Sequence, residues 1–452
     1  MSFVQRASRH DGRRRPRSWP SVIVMLVAGL TAALVGGVGV TAGAVVNTNP
    51  TFSTPTSITN PLFPQSKLEQ VITLGVDTGE PIRTELTRLP GTKTITVNGK
   101  AVQAVKVQFL ATSDSAVLEV ADDYFAQADD GTVWYLGEHV SNYEDGVLAN
   151  HDGTWVSGEK RPDGKLYVPG PLVPAKPQVG DVFNPENNKP FVFEQVTVKQ
   201  TGLTVTGPRG RISGAIKVRE DLLDGSSEEK VYAPGYGEFS AKVPFGAAKP
   251  EEDVAVALAA PIDQVGGETP GGVDDMAEAA DDIFDAVSSS NFKEADRQLA
   301  ELTDAWDAHR ATLTSSKQVP KLVAEMDDAI GTLEEAIAAR SRAEALPAAA
   351  GMGRTVPDLE LRFDKAAEVD LERLDAWARQ ALAAAATKDM AAERSASVVL
   401  DAIWARVRHS VAAGPRDQIT TQLTDLRKAA KSANHEAVKS AANRLRATLD
   451  AL

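Results

Sequence analysis

The stretch Thr94-Ile95-Thr96-Val97-Asn98-Gly99-Lys100-Ala101-Val102-Gln103-Ala104-Val105-Lys106-Val107-Gln108-Phe109 decides the fold class of the central part of the chain. Polar and apolar side chains alternate over 94–97 and again over 104–109, the two-residue period of a strand with one wet and one covered face. Asn98-Gly99 between them is a tight-hairpin dipeptide. The same grammar repeats on either side. Residues 92–97, 102–110, 117–125, 133–140, 191–198 and 203–206 read as strands. Asp130-Gly131, Asp145-Gly146, Asp152-Gly153 and Asp163-Gly164 are further hairpin signals. Residues 67–245 are therefore expected to form one antiparallel β-rich domain, a twisted meander curled around its own core.

Downstream the period changes. Residues 246–272 open on Lys249-Pro250-Glu251-Glu252-Asp253 and end on Gly266-Gly267-Glu268-Thr269-Pro270-Gly271-Gly272, the composition of a flexible linker around a short apolar middle. From 273 to 452 alanine dominates and apolar residues recur at helical spacing, as in Ile283, Phe284, Val287 or Met326, Ile330, Leu333, Ile337. An internal repeat underlies this pattern. At an offset of 98, Phe284 matches Leu382, Trp306 matches Trp404 and Arg310 matches Arg408; with two further residues of shift, Val323 matches Leu423 and Met326 matches Leu426. The helical domain reads as two copies of one unit, about 273–353 and 368–452.

Upstream lies a targeting segment. Residues 1–19 carry six arginines against Asp11, a net of +5, which leaves −19 for the rest of a chain whose total is −14. Residues 20–46 follow, with no charged side chain over the 25 residues from Val22 to Val46, enough helix to cross a hydrocarbon core of about 30 Å. Two readings stand: a retained transmembrane anchor, or a signal peptide cut after Ala44 at the small-residue triplet Ala42-Gly43-Ala44. Either places the basic tip in the cytoplasm and the remainder outside. Residues 47–66, punctuated by Asn49-Pro50, Thr54-Pro55, Asn60-Pro61 and Phe63-Pro64, are expected to be a tether with little to bury. The acidic exterior repels phosphate backbones, which excludes nucleic acid as a partner. The absence of cysteine excludes disulfides, thiolate metal sites and thiol catalysis.

Asn60-Pro61-Leu62-Phe63-Pro64, Asp130-Gly131-Thr132-Val133-Trp134-Tyr135-Leu136-Gly137-Glu138, Gln178-Val179-Gly180-Asp181 and Val231-Tyr232-Ala233-Pro234-Gly235-Tyr236-Gly237 occur in an order and spacing that resemble a family of exported or membrane-anchored bacterial proteins of unknown function. The resemblance covers about 180 residues. It implies an extracytoplasmic location and carries no activity, ligand or catalytic residue.

Two constellations stand out chemically. If Glu144-Asp145-Gly146 forms a three-residue loop, His139 faces His151 across a hairpin and the pair can hold a transition metal; a two-residue loop slips the register by one and dissolves the site. The repeated Trp-x-x-x-Arg puts Trp306 beside Arg310 and Trp404 beside Arg408, one helical turn apart, as stacked anchors of the two copies. No glycine-rich phosphate loop, nucleophile elbow or zinc-protease helix is present, so no cofactor beyond that possible metal is expected.

The expectation is an α+β multidomain protein: an N-terminal membrane or signal helix, an antiparallel β-rich domain and a duplicated all-α helical-bundle domain. Its partners would be the membrane, through the N-terminal helix, and an envelope protein or an apolar small molecule, with the oligomeric state open. A non-catalytic binding or interaction module fits this best, a small-ligand or metal carrier comes second, and an envelope hydrolase third.

Overall fold

A computed structural model describes residues 49–77, 80–208, 210–242, 252–257, 269–315, 320–361 and 363–452. The basic tip and the apolar run of 20–46 lie outside the described residues, and no helix among those described is long and apolar enough to cross a membrane. The chain is an α+β protein. Its strands are β1 (Gln70–Asp77), β2 (Glu80–Val97), β3 (Lys100–Ser113), β4 (Ala116–Gln127), β5 (Val133–Glu144), β6 (Val147–Asn150), β7 (Trp155–Val156), β8 (Gly170–Val173), β9 (Val182–Phe183), β10 (Asn187–Asn188), β11 (Val192–Gly207), β12 (Gly210–Leu222), β13 (Ser227–Ala233), β14 (Gly237–Lys242) and β15 (Glu252–Ala257).

All strand pairings are antiparallel, in the order β10-β11-β12-β13-β14-β15-β1-β2-β3-β4-β5-β6. The sheet then returns on itself. The first residues of β5 pair with β8, and Pro169, just before β8, bridges to Glu186, just before β10. Gly170 makes this closure possible, because a Cβ there would lie 2.0 Å from the Asn184 carbonyl oxygen. The result is a barrel-like ring. Val105, Val107, Phe125, Tyr135, Val196, Val198, Ile216, Val218 and Tyr232, from β3–β5 and β11–β13, pack together inside it as one apolar cluster.

Two stretches differ from the sequence expectation. Residues 49–66 are not a loose tether: Ile58, Leu62 and Phe63 are 0%, 5% and 4% exposed and belong to the barrel core. Asn60 donates to the carbonyls of Gly131 and Pro174, while Gln127 Oε1 accepts from the backbone of Thr59 and Asn60, both at 2.8 Å. Proline denies this segment a helix but not burial, since its polar backbone finds side-chain partners instead. Within the expected linker, β15 inserts between β14 and β1 and completes the sheet.

The helices are α1 (Gly271–Ser288), α2 (Phe292–Ser315), α3 (Pro320–Ala338), α4 (Arg342–Thr355), α5 (Pro357–Glu360), α6 (Ala366–Thr387), α7 (Met390–Val407), α8 (Ala413–Lys431) and α9 (His435–Leu449). In the first set α1 packs on α2 and α4, and α3 on α4; in the second α6 packs on α7 and α9, and α8 on α9. The two sets meet through α4 and α6. Left-handed residues fix their correspondence. Ser290 and Lys388 (φ 59° and 60°) end the first helices 98 residues apart, but Arg340 and Ala433 (φ 52° and 53°) end the third helices 93 apart. The offset of 100 inferred for α3 and α8 is thus seven residues too long. Seven residues are almost two helical turns, so the shift leaves an apolar stripe nearly in phase.

The helices do not hang from a hinge. α7 lies against β2 and β4, and Leu110 and Val117 of the sheet join the core of α6–α9. A buried polar network locks the contact. Arg406 pairs with Glu85 Oε2 at 2.6 Å and donates to Gln108 Oε1 at 2.7 Å. Arg373 pairs with Asp358 at 2.9 Å and Asp370 at 2.8 Å and donates to Gln70 Oε1 at 2.7 Å. Arg83 binds Asp358 from the sheet side through both terminal nitrogens. Burial alone would raise the Glu85 carboxyl, but Arg406, Arg83 and Arg373 outweigh it and hold the pKa far below the ordinary value.

Removing one member of such a pair strands its partner. Arg406→Ala is expected to cost about 3–5 kcal/mol, whereas Arg427→Ala, which breaks the surface pair with Asp401, should cost no more than about 1 kcal/mol. Urea denaturation at neutral pH measures both, and equal losses would refute the clamp. Trp306 and Trp404 are 2% and 5% exposed, so Trp306→Ala and Trp404→Ala should each cost about 3–5 kcal/mol in the same assay.

Candidate functional site: the acidic interior of the barrel

The sequence-derived candidates fall in separate places. Glu144 pairs with Val147 around Asp145-Gly146 (φ 51° and 69°), a two-residue turn, and a bulge follows at Asn142/Tyr143. The three-residue loop that His139 and His151 required is absent. His139 is exposed, lies opposite Asp122 and packs edge-on against Tyr124 at 5.6 Å, while the His151 Nδ1 sits 2.7 Å from the Val140 carbonyl oxygen. The ring nitrogen of His151 is engaged locally, with Ser141 Oγ also at 3.5 Å, so that Ser141 and not His139 stands beside it. No group of three or more histidines and carboxylates among the described residues converges as a metal site.

The tryptophan–arginine motifs serve packing, with polar partners other than the expected stack. The Trp306 indole donates to Asp327 Oδ1 at 2.9 Å and Arg310 pairs with Asp327 Oδ2 at 2.7 Å, so both converge on one carboxylate of α3. In the second set Trp404 donates to Thr420 Oγ1 at 3.1 Å, and Arg408 is exposed at the end of α7. The packing positions of the indoles correspond, and their polar partners do not.

The concentration of unusual chemistry lies inside the barrel. Along β4, Glu119 and Asp123 are four residues apart on one uninterrupted ladder with β5, hence on the same face. Asp123 sits opposite Glu138 on β5 and opposite Val107, a core residue, on β3. On the far wall Val196 of β11 faces Glu220 of β12, and Glu220 faces Glu228 of β13. Glu194 lies two residues before Val196 and shares its face. Lys230, on the same face of β13 as Glu228, reaches Glu220 at 2.6 Å, Glu238 of β14 at 3.5 Å and Glu228 at 3.8 Å.

Trp155 and Glu186 join the two walls. Gly137, with φ +130°, is the one residue able to let β7 approach, since a Cβ would meet the Trp155 carbonyl oxygen at 2.3 Å. That close approach brings the Trp155 ring edge-on against Tyr135, which in turn stacks on Phe125 at 4.9 Å. The indole donates to Glu186 Oε1 at 2.5 Å, and Glu186 hydrogen-bonds Glu138. Tyr135 donates to Asp123 Oδ1 at 3.3 Å.

This interior is electrostatically lopsided. Burial, reinforced by neighbouring carboxylates, pushes Glu119, Glu138, Glu186 and Glu194 well above the ordinary carboxyl range. Asp123 is raised by burial to about 7. Burial works against the Lys230 ammonium, yet Glu220, Glu238 and Glu228 more than offset it and raise its pKa. Among the described residues no ion pair reaches Glu119, Asp123, Glu138, Glu186 or Glu194, and Glu119 Oε2 has no hydrogen-bond partner although the residue is 3% exposed. Glu138 and Glu194 keep accessible surface. Such an arrangement can hold protons at near-neutral pH or receive positive charge.

Sequence reading missed the cluster because its members lie on separate strands and share no local motif. One signal was present: Ile216, Val218, Glu220 and Leu222 occupy alternate positions, which puts a carboxylate in phase with an apolar stripe.

The pKa directions set a pH dependence. The raised interior carboxyls favour the folded state below their unfolded pKa near about 4, and that contribution is lost as pH rises through about 7, the Asp123 value. Glu85, depressed instead, supports the fold above its unfolded value of about 4.5 and stops doing so in more acid solution. Thermal stability should therefore be higher near pH 5 than near pH 8. The double variant Asp123→Asn/Glu138→Gln should gain at pH 8 and flatten the dependence. Scanning calorimetry across that range checks this, and a rising wild-type midpoint toward pH 8 would contradict it.

No protein-family model and no curated protein matches the chain. Among solved structures it is similar to the crystal structure of "a putative lipoprotein from Parabacteroides distasonis", at 13% identity over 43% of this chain and 97% of that one, with a TM-score of 0.24. A likeness at that score carries no weight for fold or function.

Proposed function

We propose that this is a non-catalytic binding protein of the cell envelope, either anchored by residues 20–46 or released by cleavage after Ala44, and that its ligand site is the barrel interior. The observation that carries this reading is the cluster of carboxylates on the inner face of the barrel, in a chain whose first residues read as an export signal. The motif resemblance to exported bacterial proteins supports the same compartment. The helical sets, read as a duplicated unit, buttress one face of the sheet through the arginine network and leave the interior to the ligand. The sign of the interior charge shifts the expected ligand from an apolar molecule to one that carries positive charge.

Sequencing the mature N-terminus distinguishes anchor from secreted protein: a start at Val45 means release, an intact Arg13–Arg17 cluster means retention. For the site, a thermal-shift screen of small molecules grouped by charge is the direct test. A ligand of the barrel should raise the midpoint of the wild type by several degrees and that of Glu138→Gln/Glu194→Gln by much less. Stabilisers that act equally on both would place binding elsewhere and refute the interior as the site.

A further inference from the structure

Resting on the reading of the barrel as a ligand site, we infer that its ligand is an organic polycation, a flexible molecule bearing two or more ammonium groups, held by Glu119, Asp123, Glu138, Glu186 and Glu194 beside the Tyr135 and Trp155 rings. The chain itself contains a precedent. Lys230 places one primary ammonium among Glu220, Glu238 and Glu228 at 2.6, 3.5 and 3.8 Å, which is how an ammonium is accommodated in this interior. The five carboxyls beyond it have no ion pair among the described residues, and their positions run from β4 and β5 across Glu186 to β11. One lysine supplies one positive charge. A molecule with several ammonium groups would supply one to each cluster of acceptors.

One observation besides acidity points to a ligand. Glu119 Oε2 is buried without a hydrogen-bond partner on the same strand face as Asp123; a buried carboxylate oxygen left unmatched is costly unless something meets it. Tyr135 and Trp155 are buried in the apolar core, and their polar atoms donate to Asp123 and Glu186. A divalent metal fits less well. The acceptors are strung along separate strands and nowhere converge three together among the described residues, whereas Ca²⁺ takes six to eight oxygens within about 2.6 Å.

The test is isothermal titration calorimetry of the full chain in detergent with four probes: spermidine, putrescine, Ca²⁺ and glutarate. Spermidine should bind one molecule per chain and more tightly than putrescine, Ca²⁺ at millimolar concentration should not displace it, and glutarate should give no heat. Glu138→Gln/Glu194→Gln should weaken spermidine at least tenfold. Circular dichroism confirms that the variant folds, as it should, since the substitutions remove like-charge repulsion. Spermidine binding unchanged in the variant would overturn the assignment. Ca²⁺ or glutarate binding that is lost in the variant while spermidine gives no heat would overturn the polycation and leave the barrel site standing. Absence of heat with all four probes, together with no charge-class preference in the thermal-shift screen, would overturn both.

Discussion

A long antiparallel sheet exposes two faces, and each must be covered by something other than water if its strands carry apolar side chains on both sides. This constraint shapes the whole molecule. The inner face is covered by curling the sheet until β5, through β8 and the Pro169–Glu186 bridge, returns to β10. Part of the outer face is covered by α5, α6 and α7, where Arg83, Arg373 and Arg406 thread between strand and helix. The two coverings meet on one strand. The carboxylate that Arg406 neutralises, Glu85, sits on the same strand as Leu86, which packs against the barrel core.

The β-architecture was legible because its cues are local. Alternation and Asx-Gly turns are written into consecutive residues, and the Asn98-Gly99 hairpin forms where it was expected, with Val97 paired to Lys100. What failed were quantities that depend on counting across a gap. The 144–147 hairpin turns on two residues and then bulges at Asn142/Tyr143, which sets Asn142 opposite Asn150 and displaces the pairing by two residues from the one that puts His139 opposite His151. The helical repeat failed in the same way. A seven-residue slip preserves the apolar stripe, so α3 and α8 could be aligned two turns out of step until the left-handed residues Arg340 and Ala433 marked their true ends.

The segment 49–66 and the interior carboxylates were misread for a related reason. Composition assigns proline-rich and charged residues to solvent by default, and the default is right only where no partner exists. Asn60 and Gln127 supply hydrogen bonds for a segment without secondary structure of its own, and Lys230 supplies charge for three glutamates. These partners are far apart in sequence, so their effect appears only once the sheet has closed.

The two buried charged clusters obey opposite rules, and the contrast separates architecture from function. At the sheet–helix contact three guanidiniums, those of Arg83, Arg373 and Arg406, meet three carboxylates, those of Glu85, Asp358 and Asp370. Charge is balanced there and Glu85 is held ionised, although Arg373 Nε and Arg406 Nη2 find no hydrogen-bond acceptor among the described residues. Such a cluster specifies how two layers dock. Inside the barrel the carboxylates of β4, β5, β11–β14 and Glu186 meet one described lysine, and Asp123 relieves the imbalance by keeping a proton up to about pH 7. A fold selected for stability alone would place apolar side chains at these positions, as it does at Val196 and Val218 on neighbouring sites of the same face. Retaining acids there destabilises the free protein, and a cation entering the barrel would recover that deficit as binding energy. At the proposed site the same deficit would favour a cation over an anion or a neutral molecule, either of which would leave it uncorrected.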